Sequence, residues 1–303
     1  NPLVAVDGIS VGIPAGECFG LLGFNGAGKT TTFKMLTGEE TATSGDAVIG
    51  GYSILTDIRK VQQRIGYCPQ FDGLLEHMTG RETLWMYARL RGVPERLIPW
   101  ATRTGRVPRV APPHRRSGGT KRKLSTAVAL MGSPPVVFLD EPSTGMDPVA
   151  RRLLWDALSR VREEGRALVI TSHSMEECEA LCTRIAIMVN GQFRCLGSQQ
   201  HLKSRYGSGY TLLARIRAEQ ADTQPFKHFV ETTFPGSILK DQHQGLVHYH
   251  LTDMNMSWAQ VFGMLEKAKR DYCLDDYSIS QISLEQVFLG FARFQRHTEE
   301  RPE

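Results

Sequence analysis

Residues 23–30 read Gly-Phe-Asn-Gly-Ala-Gly-Lys-Thr, the spacing G-x-x-x-x-G-K-[ST] of a phosphate-cradling loop. Gly23, Gly26 and Gly28 let the backbone curl, so the N–H groups along Phe24, Asn25 and Ala27 point into one concavity. Lys29 adds a cation that can reach β- and γ-phosphates. Thr30 offers a hydroxyl to Mg²⁺, and Thr31 continues into what should be a helix N-terminus. A second set of groups complements the first. Asp140 and Glu141 close an apolar run, where one acid can hold Mg²⁺, directly or through water, and the other can orient or deprotonate an attacking water. His173 ends another apolar run and suits a hydrogen bond near a γ-phosphate. Gln70 ends a short strand and suits contact with both metal and water. An acid pair after an apolar strand is weakly specific alone; behind a phosphate loop it points to a nucleotide site.

These groups need a scaffold that brings strand ends together. Residues 18–22 are a short apolar run suited to a buried strand, and residues 31–37 a helix closed by Gly38. Residues 3–12 read as an opening strand, 46–49 as short strands between Ser44-Gly45 and Gly50-Gly51, and 64–70 as a strand ending at Pro69-Gln70. Residues 79–91 read helical, with Leu84, Tyr87, Ala88 and Arg91 on one face. Residues 120–131 are a helix, 136–141 a buried strand, 151–164 a helix ended by Gly165 and 167–173 a second buried strand. Residues 174–177 spell a helix-starting capping box. Residues 185–195 form a hairpin about Asn190-Gly191. Strands alternating with helices predict a mainly parallel α/β sheet, and ligands in such sheets bind at strand carboxyl ends.

From about Ser208 the pattern changes to strand, helix, two strands, helix, strand and a further helix, with capping boxes at residues 257–260 and 283–286. That order is a ferredoxin-like plan. His248 and His250 alternate on one strand without an acid or cysteine at ligand spacing, so they are expected to be solvated or packed. Residues 298–303 are expected to be a frayed tail.

The chain of 303 residues allows about two domains. It contains no run of 18 apolar residues, so no segment is expected to span a membrane. The start carries no signal peptide pattern and no Met, which makes a fragment the expectation. A net charge of +4 does not by itself imply nucleic acid. Six cysteines without metal-type pairs read as reduced thiols facing the cytosol, with Cys178 and Cys182 as half-buried structural thiols.

The succession of residues 23–30, Gln70, Ser117-Gly118-Gly119, Asp140-Glu141, Asp147 and His173 resembles that of ATP-binding cassette proteins. Residues 18–23, 33–38, 171–182 and 187–191 are similar to the A subfamily, the lipid exporters. Residues 287–292 resemble that subfamily's C-terminal motif, and the ferredoxin-like unit resembles its regulatory domain. The whole chain resembles the second nucleotide-binding half plus that domain, without the membrane helices.

The resemblance implies an α/β fold: a P-loop NTPase cassette with a helical subdomain, followed by a smaller α+β ferredoxin-like domain. The implied boundaries are residues 1–207 for the cassette (71–120 helical), 208–294 for the regulatory domain and 295–303 for the tail. It implies ATP and Mg²⁺ as cofactors. Glu141, His173 and Gln70 would be catalytic, and Thr30, Gln70 and Asp140 would hold the metal. Gly23, Phe24, Asn25, Gly26, Ala27, Gly28, Lys29, Thr30 and Thr31 would bind nucleotide. Two cassettes would close head to tail, with Ser117, Gly118 and Gly119 capping the γ-phosphate on the partner's loop and Asp147 at the seam. The implied partners are transmembrane domains, a second cassette and a lipid handled by the membrane part, with no nucleic acid. The implied location is the cytosolic face of a plasma or intracellular membrane.

Two features depart from the family pattern. No aromatic residue precedes Phe19 to stack on adenine, which truncation explains. Residues 96–116 hold six arginines, four prolines and no acid. Residues 97–116 therefore read as an abnormal segment, out of frame or mis-spliced, rather than as a genuine basic loop. A disturbed segment there would weaken hydrolysis more than ATP binding. The alternative function is a non-hydrolysing cassette remnant that acts as an interaction module. A cassette protein acting on ribosomes or DNA would carry paired cassettes or coiled coils, and this chain has neither.

Overall fold

The computed structural model describes residues 4–75, 77–99, 118–206, 209–217, 223–243, 245–251, 256–281 and 283–292. The expected abnormal segment therefore lies, from Trp100 onward, outside the described residues, as does Ser117. The chain divides into two compact units, residues 1–199 with 291–303, and residues 200–290.

The first unit begins with strand β1 (Cys18–Leu22) and helix α1 (Lys29–Thr37). A small ribbon follows, β2 (Val48–Ile49) with β3 (Tyr52–Ser53), then α2 (Ile58–Arg64) and β4 (Ile65–Cys68). Helices α3 (Gly80–Leu90) and α4 (Gly118–Ala129) precede β5 (Val136–Asp140), α5 (Pro148–Glu163) and β6 (Ala167–Ser172). Helix α6 (Met175–Leu181) and the hairpin β7 (Arg184–Val189) and β8 (Gln192–Gly197) complete it.

The main sheet has the order β4-β5-β6-β1-β7-β8, parallel except for β8. β1 is buried at every position and β5 at all but its first, as strands covered on both faces must be. One face packs Phe33 of α1 edge-on against Phe138 of β5, centroids 5.3 Å apart, with Val61 and Met188 beside them. Helices α3 and α4 form a smaller core from Leu84, Ala88 and Leu124, joined by Ile98 and by Met131 in the turn after α4.

α4 seats against β4 through a glycine. A Cβ on Gly66 would lie 2.0 Å from the Ala129 carbonyl oxygen and 2.9 Å from Pro134 Cγ. The helix backbone at Ala129 cannot yield and the Pro134 ring crowds the same space, so Gly66→Ala should lower stability by about 1–3 kcal/mol or more. Thermal unfolding of the variant should show a midpoint several degrees lower; an unchanged midpoint would mean β4 and α4 separate freely.

The expected opening strand over residues 3–12 is not formed among its described residues, 4–12. Gly8 turns the backbone to φ 59, and the Asp7 N–H is taken by the Gly191 carbonyl at 2.9 Å. That carbonyl belongs to the β7–β8 turn, where Asn190 (φ 49) and Gly191 (φ 79) supply the two left-handed residues of a type I′ hairpin. The capping box expected at Ser174 is half formed. Ser174 Oγ accepts from Glu177 N–H at 3.5 Å, but the Glu177 carboxylate turns inward to Ser172 Oγ at 2.7 Å. Burial raises the pKa of that carboxyl, against hydrogen bonds from Ser172, Ser143 and Trp155. Cys178 and Cys182 are more buried than expected, at 0% and 6% exposure. Hydrogen bonding with Cys178 and Cys18, then burial, raises the Cys182 thiol well above its usual pKa.

Helix α7 (Gln199–Tyr206) leads into β9 (Tyr210–Ile216), α8 (Gln224–Thr233), β10 (Ile238–His243) and β11 (Leu246–Leu251). Then come α9 (Trp258–Asp271), β12 (Leu274–Gln281) and α10 (Leu284–Ala292). The sheet order is β10-β11-β9-β12, every pair antiparallel, which is the ferredoxin-like arrangement. Alternate residues Leu212, Ala214 and Ile216 of β9 and Val247, Tyr249 and Leu251 of β11 face one core. Phe226 and Val230 of α8 and Val261, Leu265 and Ala268 of α9 fill it. The Ser257/Gln260 capping box that starts α9 is complete.

Candidate functional site: a phosphate loop beside a paired acid

Parallel register decides what meets at the end of the main sheet. Leu22 lies opposite Ser172, Asp140 opposite Thr171, and Cys68 opposite Leu139. The chain therefore leaves the sheet at Gly23, His173, Glu141 and Pro69-Gln70 along one edge. Sequence separation is large, yet these groups become neighbours because each follows the carboxyl end of an adjacent strand.

The loop from Gly23 is pressed between backbone neighbours. Gly28 has φ 105, and a Cβ there would lie 2.3 Å from the Ala5 carbonyl oxygen. Only glycine fits both the conformation and the space. The Gly191 N–H donates to Ala27 O at 2.9 Å, so the β7–β8 turn braces the loop from behind. Helix α1 starts at Lys29 with no side-chain cap on its N-terminus. Its first-turn N–H groups face the concavity, with Thr30 and Thr31 half-buried there.

Lys29 is 5% exposed. Its Nζ donates to Gly23 O at 2.7 Å and Phe24 O at 3.1 Å, and lies 3.9 Å from Glu141 Oε1. Burial lowers its pKa, opposed by the charges of Glu141 and Asp140. The ammonium is thus held at the mouth of the loop, short of full charge compensation.

Asp140 is fully buried. Its Oδ1 accepts from Thr171 Oγ1, while its Oδ2 has no hydrogen-bond partner. Glu141 is 6% exposed and sits at φ 50, a left-handed conformation that costs a non-glycine residue about 1–3 kcal/mol. Its N–H donates to Thr171 O at 3.1 Å and to Thr171 Oγ1 at 3.0 Å. Its carboxylate accepts from Thr144 Oγ1 at 3.3 Å and lies 3.3 Å from His173 Nδ1. The His173 side chain is 59% exposed, open to whatever enters the site. Lys29, Asp140, Glu141 and His173 therefore form one constellation.

Gln70 is exposed, and its backbone carbonyl accepts from Arg122 at 3.2 Å. Gly118 and Gly119 belong to the first turn of α4, two residues before the helix expected at residue 120. A Cβ on Gly119 would lie 3.6 Å from Met146 Cα, so Gly119 sits beside the Gly145-Met146 loop, while Gly118 faces open space. Asp147 caps α5, its Oδ1 accepting from Ala150 N–H at 2.9 Å, and that bond lowers its pKa. Sequence reasoning missed Thr171 and Arg122. Thr171 carried a signal, since it ends the strand next to Asp140. Arg122 carried none, because a basic residue in the first half of a helix usually faces solvent.

Comparison with known proteins is decisive here. Residues 6–144 match the ABC transporter family model, and residues 207–281 match the model described as ABCA1-like, C-terminal R1 regulatory domain. The rat phospholipid-transporting ATPase ABCA3 is 67% identical over 307 aligned residues, covering 99% of this chain. The chain belongs to the ATP-binding cassette family, A subfamily. Human retinal-specific phospholipid-transporting ATPase ABCA4 is 50% identical, covering 98% of the chain. The chain spans 18% of the rat relative's length and 14% of the human one's. Among solved structures, an ATP-binding subunit of an ABC transporter is 27% identical, with a TM-score of 0.61. That alignment covers 67% of this chain and 87% of the other. The cassette and an R1-type unit are thus joined in one chain. Among the described residues, no helix is long and apolar enough to cross a membrane.

Proposed function

We propose that this cassette binds ATP with Mg²⁺ at the loop of residues 23–30 and hydrolyses it, supplying work to a phospholipid transporter of which it is a part. The observation that carries the reading is the backbone of Glu141. A buried glutamate held at φ 50 between Thr171, Lys29 and His173 is strain kept for chemistry rather than for packing.

Lys29 and the N–H groups from Phe24 to Thr31 grip the phosphates. Glu141 accepts the proton of the attacking water, and His173 hydrogen-bonds the γ-phosphate region. The unpartnered Asp140 Oδ2 and the Thr30 hydroxyl suit a hard cation, so Thr30, Asp140 and Gln70 would hold Mg²⁺. When bound, the ion neutralises phosphate charge. Gly118, Gly119 and Ser117 would cap the γ-phosphate on a second cassette, with Asp147 at the seam. Domain boundaries near 207 and 294 fit this assembly, with the R1-type unit modulating it. The cassette would sit on the cytosolic face of a plasma or intracellular membrane, beside transmembrane domains of the same polypeptide. Its closing and release would drive lipid movement.

The test is nucleotide affinity of the chain with and without Mg²⁺, alongside phosphate release. Magnesium-dependent ATP binding with measurable turnover is expected. Binding without turnover would favour the inactive-module reading, and no binding would overturn both.

A further inference from the structure

Among the described residues, one buried cation remains unused in this mechanism. Arg122, on α4, is 3% exposed, yet among the described residues its guanidinium makes no hydrogen bond to the loop of residues 23–30. Its Nη1 donates to the Pro69 carbonyl, to the Gln70 carbonyl at 3.2 Å and to Asp72 Oδ1 at 3.1 Å. Its Nη2 donates to the Asp140 carbonyl. One guanidinium therefore ties together the helix behind Gly118 and Gly119, the loop bearing Gln70 and the end of β5.

The Asp140 carbonyl and the Glu141 N–H belong to the same peptide unit. Arg122 holds its oxygen, and Thr171 holds its nitrogen at 3.0 and 3.1 Å. Both ends of that plane are pinned, so the left-handed turn at Glu141 starts from a fixed frame. Burying a cation is costly, and an apolar side chain would pack α4 against β4 at less expense. A rigid, planar fork with five donors reaches carbonyls on two separate segments at once, and a lysine ammonium does not. The charge itself is matched by Asp72, whose side chain is 18% exposed.

We propose that Arg122 is a positioning residue: its guanidinium couples the loop carrying Gln70 to the Asp140–Glu141 peptide, so that the two move as one when nucleotide binds. This rests on the ATPase reading above, and it adds the means by which the two halves of the site stay in register.

The test compares wild type with Arg122→Lys in the intact chain, by ATP affinity, turnover and amide hydrogen exchange. ATP affinity should stay within about threefold, because Arg122 does not hold phosphate. Turnover should fall about 10- to 100-fold, as misplaced catalytic groups do. In wild type, saturating Mg-ATP should protect residues 65–72 and 139–145 together; in Arg122→Lys the two segments should respond separately. If Arg122→Lys fails to fold, Asp72→Asn loosens only the Nη1 arm and should give the same uncoupling in weaker form. Unchanged turnover, or joint protection in both variants, overturns the proposal. Equal loss of affinity and turnover also overturns it, since that is the signature of a general structural role. If wild type binds ATP but shows no turnover, the ATPase reading fails, and the exchange measurement alone decides the coupling.

Discussion

Glu141→Gln should reduce ATP turnover by about 10²- to 10⁴-fold, the usual contribution of a positioned general base. ATP affinity should change by no more than about threefold, because the amide is isosteric and the phosphate-gripping groups are untouched. The Thr144 hydroxyl at 3.3 Å still finds an oxygen, and Thr171 still holds the backbone N–H. The left-handed backbone at φ 50 persists too, so thermal stability should hardly move. Steady-state phosphate release and equilibrium ATP binding on the same preparations separate these effects. If wild type and variant turn over equally little, the site holds nucleotide without cleaving it. If both turn over equally well, the water is activated elsewhere.

Lys29→Ala should weaken ATP binding by about 10- to 100-fold, since charge-assisted hydrogen bonds contribute about 1.5–3 kcal/mol each. The structure adds a second expectation, in the protein without nucleotide. Burial holds the Lys29 pKa below its ordinary value, despite Glu141 and Asp140. Between the lowered folded value and the ordinary unfolded value, the unfolded chain binds more protons than the native one. Stability contributed by this residue therefore rises as pH rises through that window, the reverse of a lysine stabilised by a surface partner. Denaturant unfolding of wild type at alkaline pH should show this slope, and Lys29→Ala should lose it. Bound phosphates offset the cost of burial, so ATP should diminish the same slope in wild type. An alanine variant that binds ATP as wild type does would remove Lys29 from the site altogether.

The scaffold was legible in the residues because it rests on local rules. Residues 18–22 and 136–139 are short runs without a charged or polar side chain, bounded by turn residues, which is how strands covered on both faces are written. Asn190-Gly191 reads as a hairpin because two left-handed residues are needed there. Ser257/Gln260 forms the reciprocal cap its spacing calls for, and Thr79/Glu82 forms another that reading residues 79–91 as a helix left unnamed. Ser174/Glu177 has the same spelling but not the same outcome, since Glu177 found Ser172 and Trp155 in the interior. A tertiary partner displaced the local one. The expected strand before Gly12 failed for a like reason: Asp7 gave its N–H to a turn distant in sequence.

What the sequence by itself determined, then, was the phosphate loop, the acid pair, the alternation of strand and helix and the switch to a βαββαβ unit. Each is encoded in spacing and period within a few residues. Tertiary structure alone decided that Glu141 adopts a left-handed backbone, that Asp140 keeps one buried oxygen unpartnered and that Arg122 turns inward. Those outcomes depend on Thr171, Pro69 and Asp72, which approach from other strands and loops. Contacts between segments dozens of residues apart have no local period to announce them.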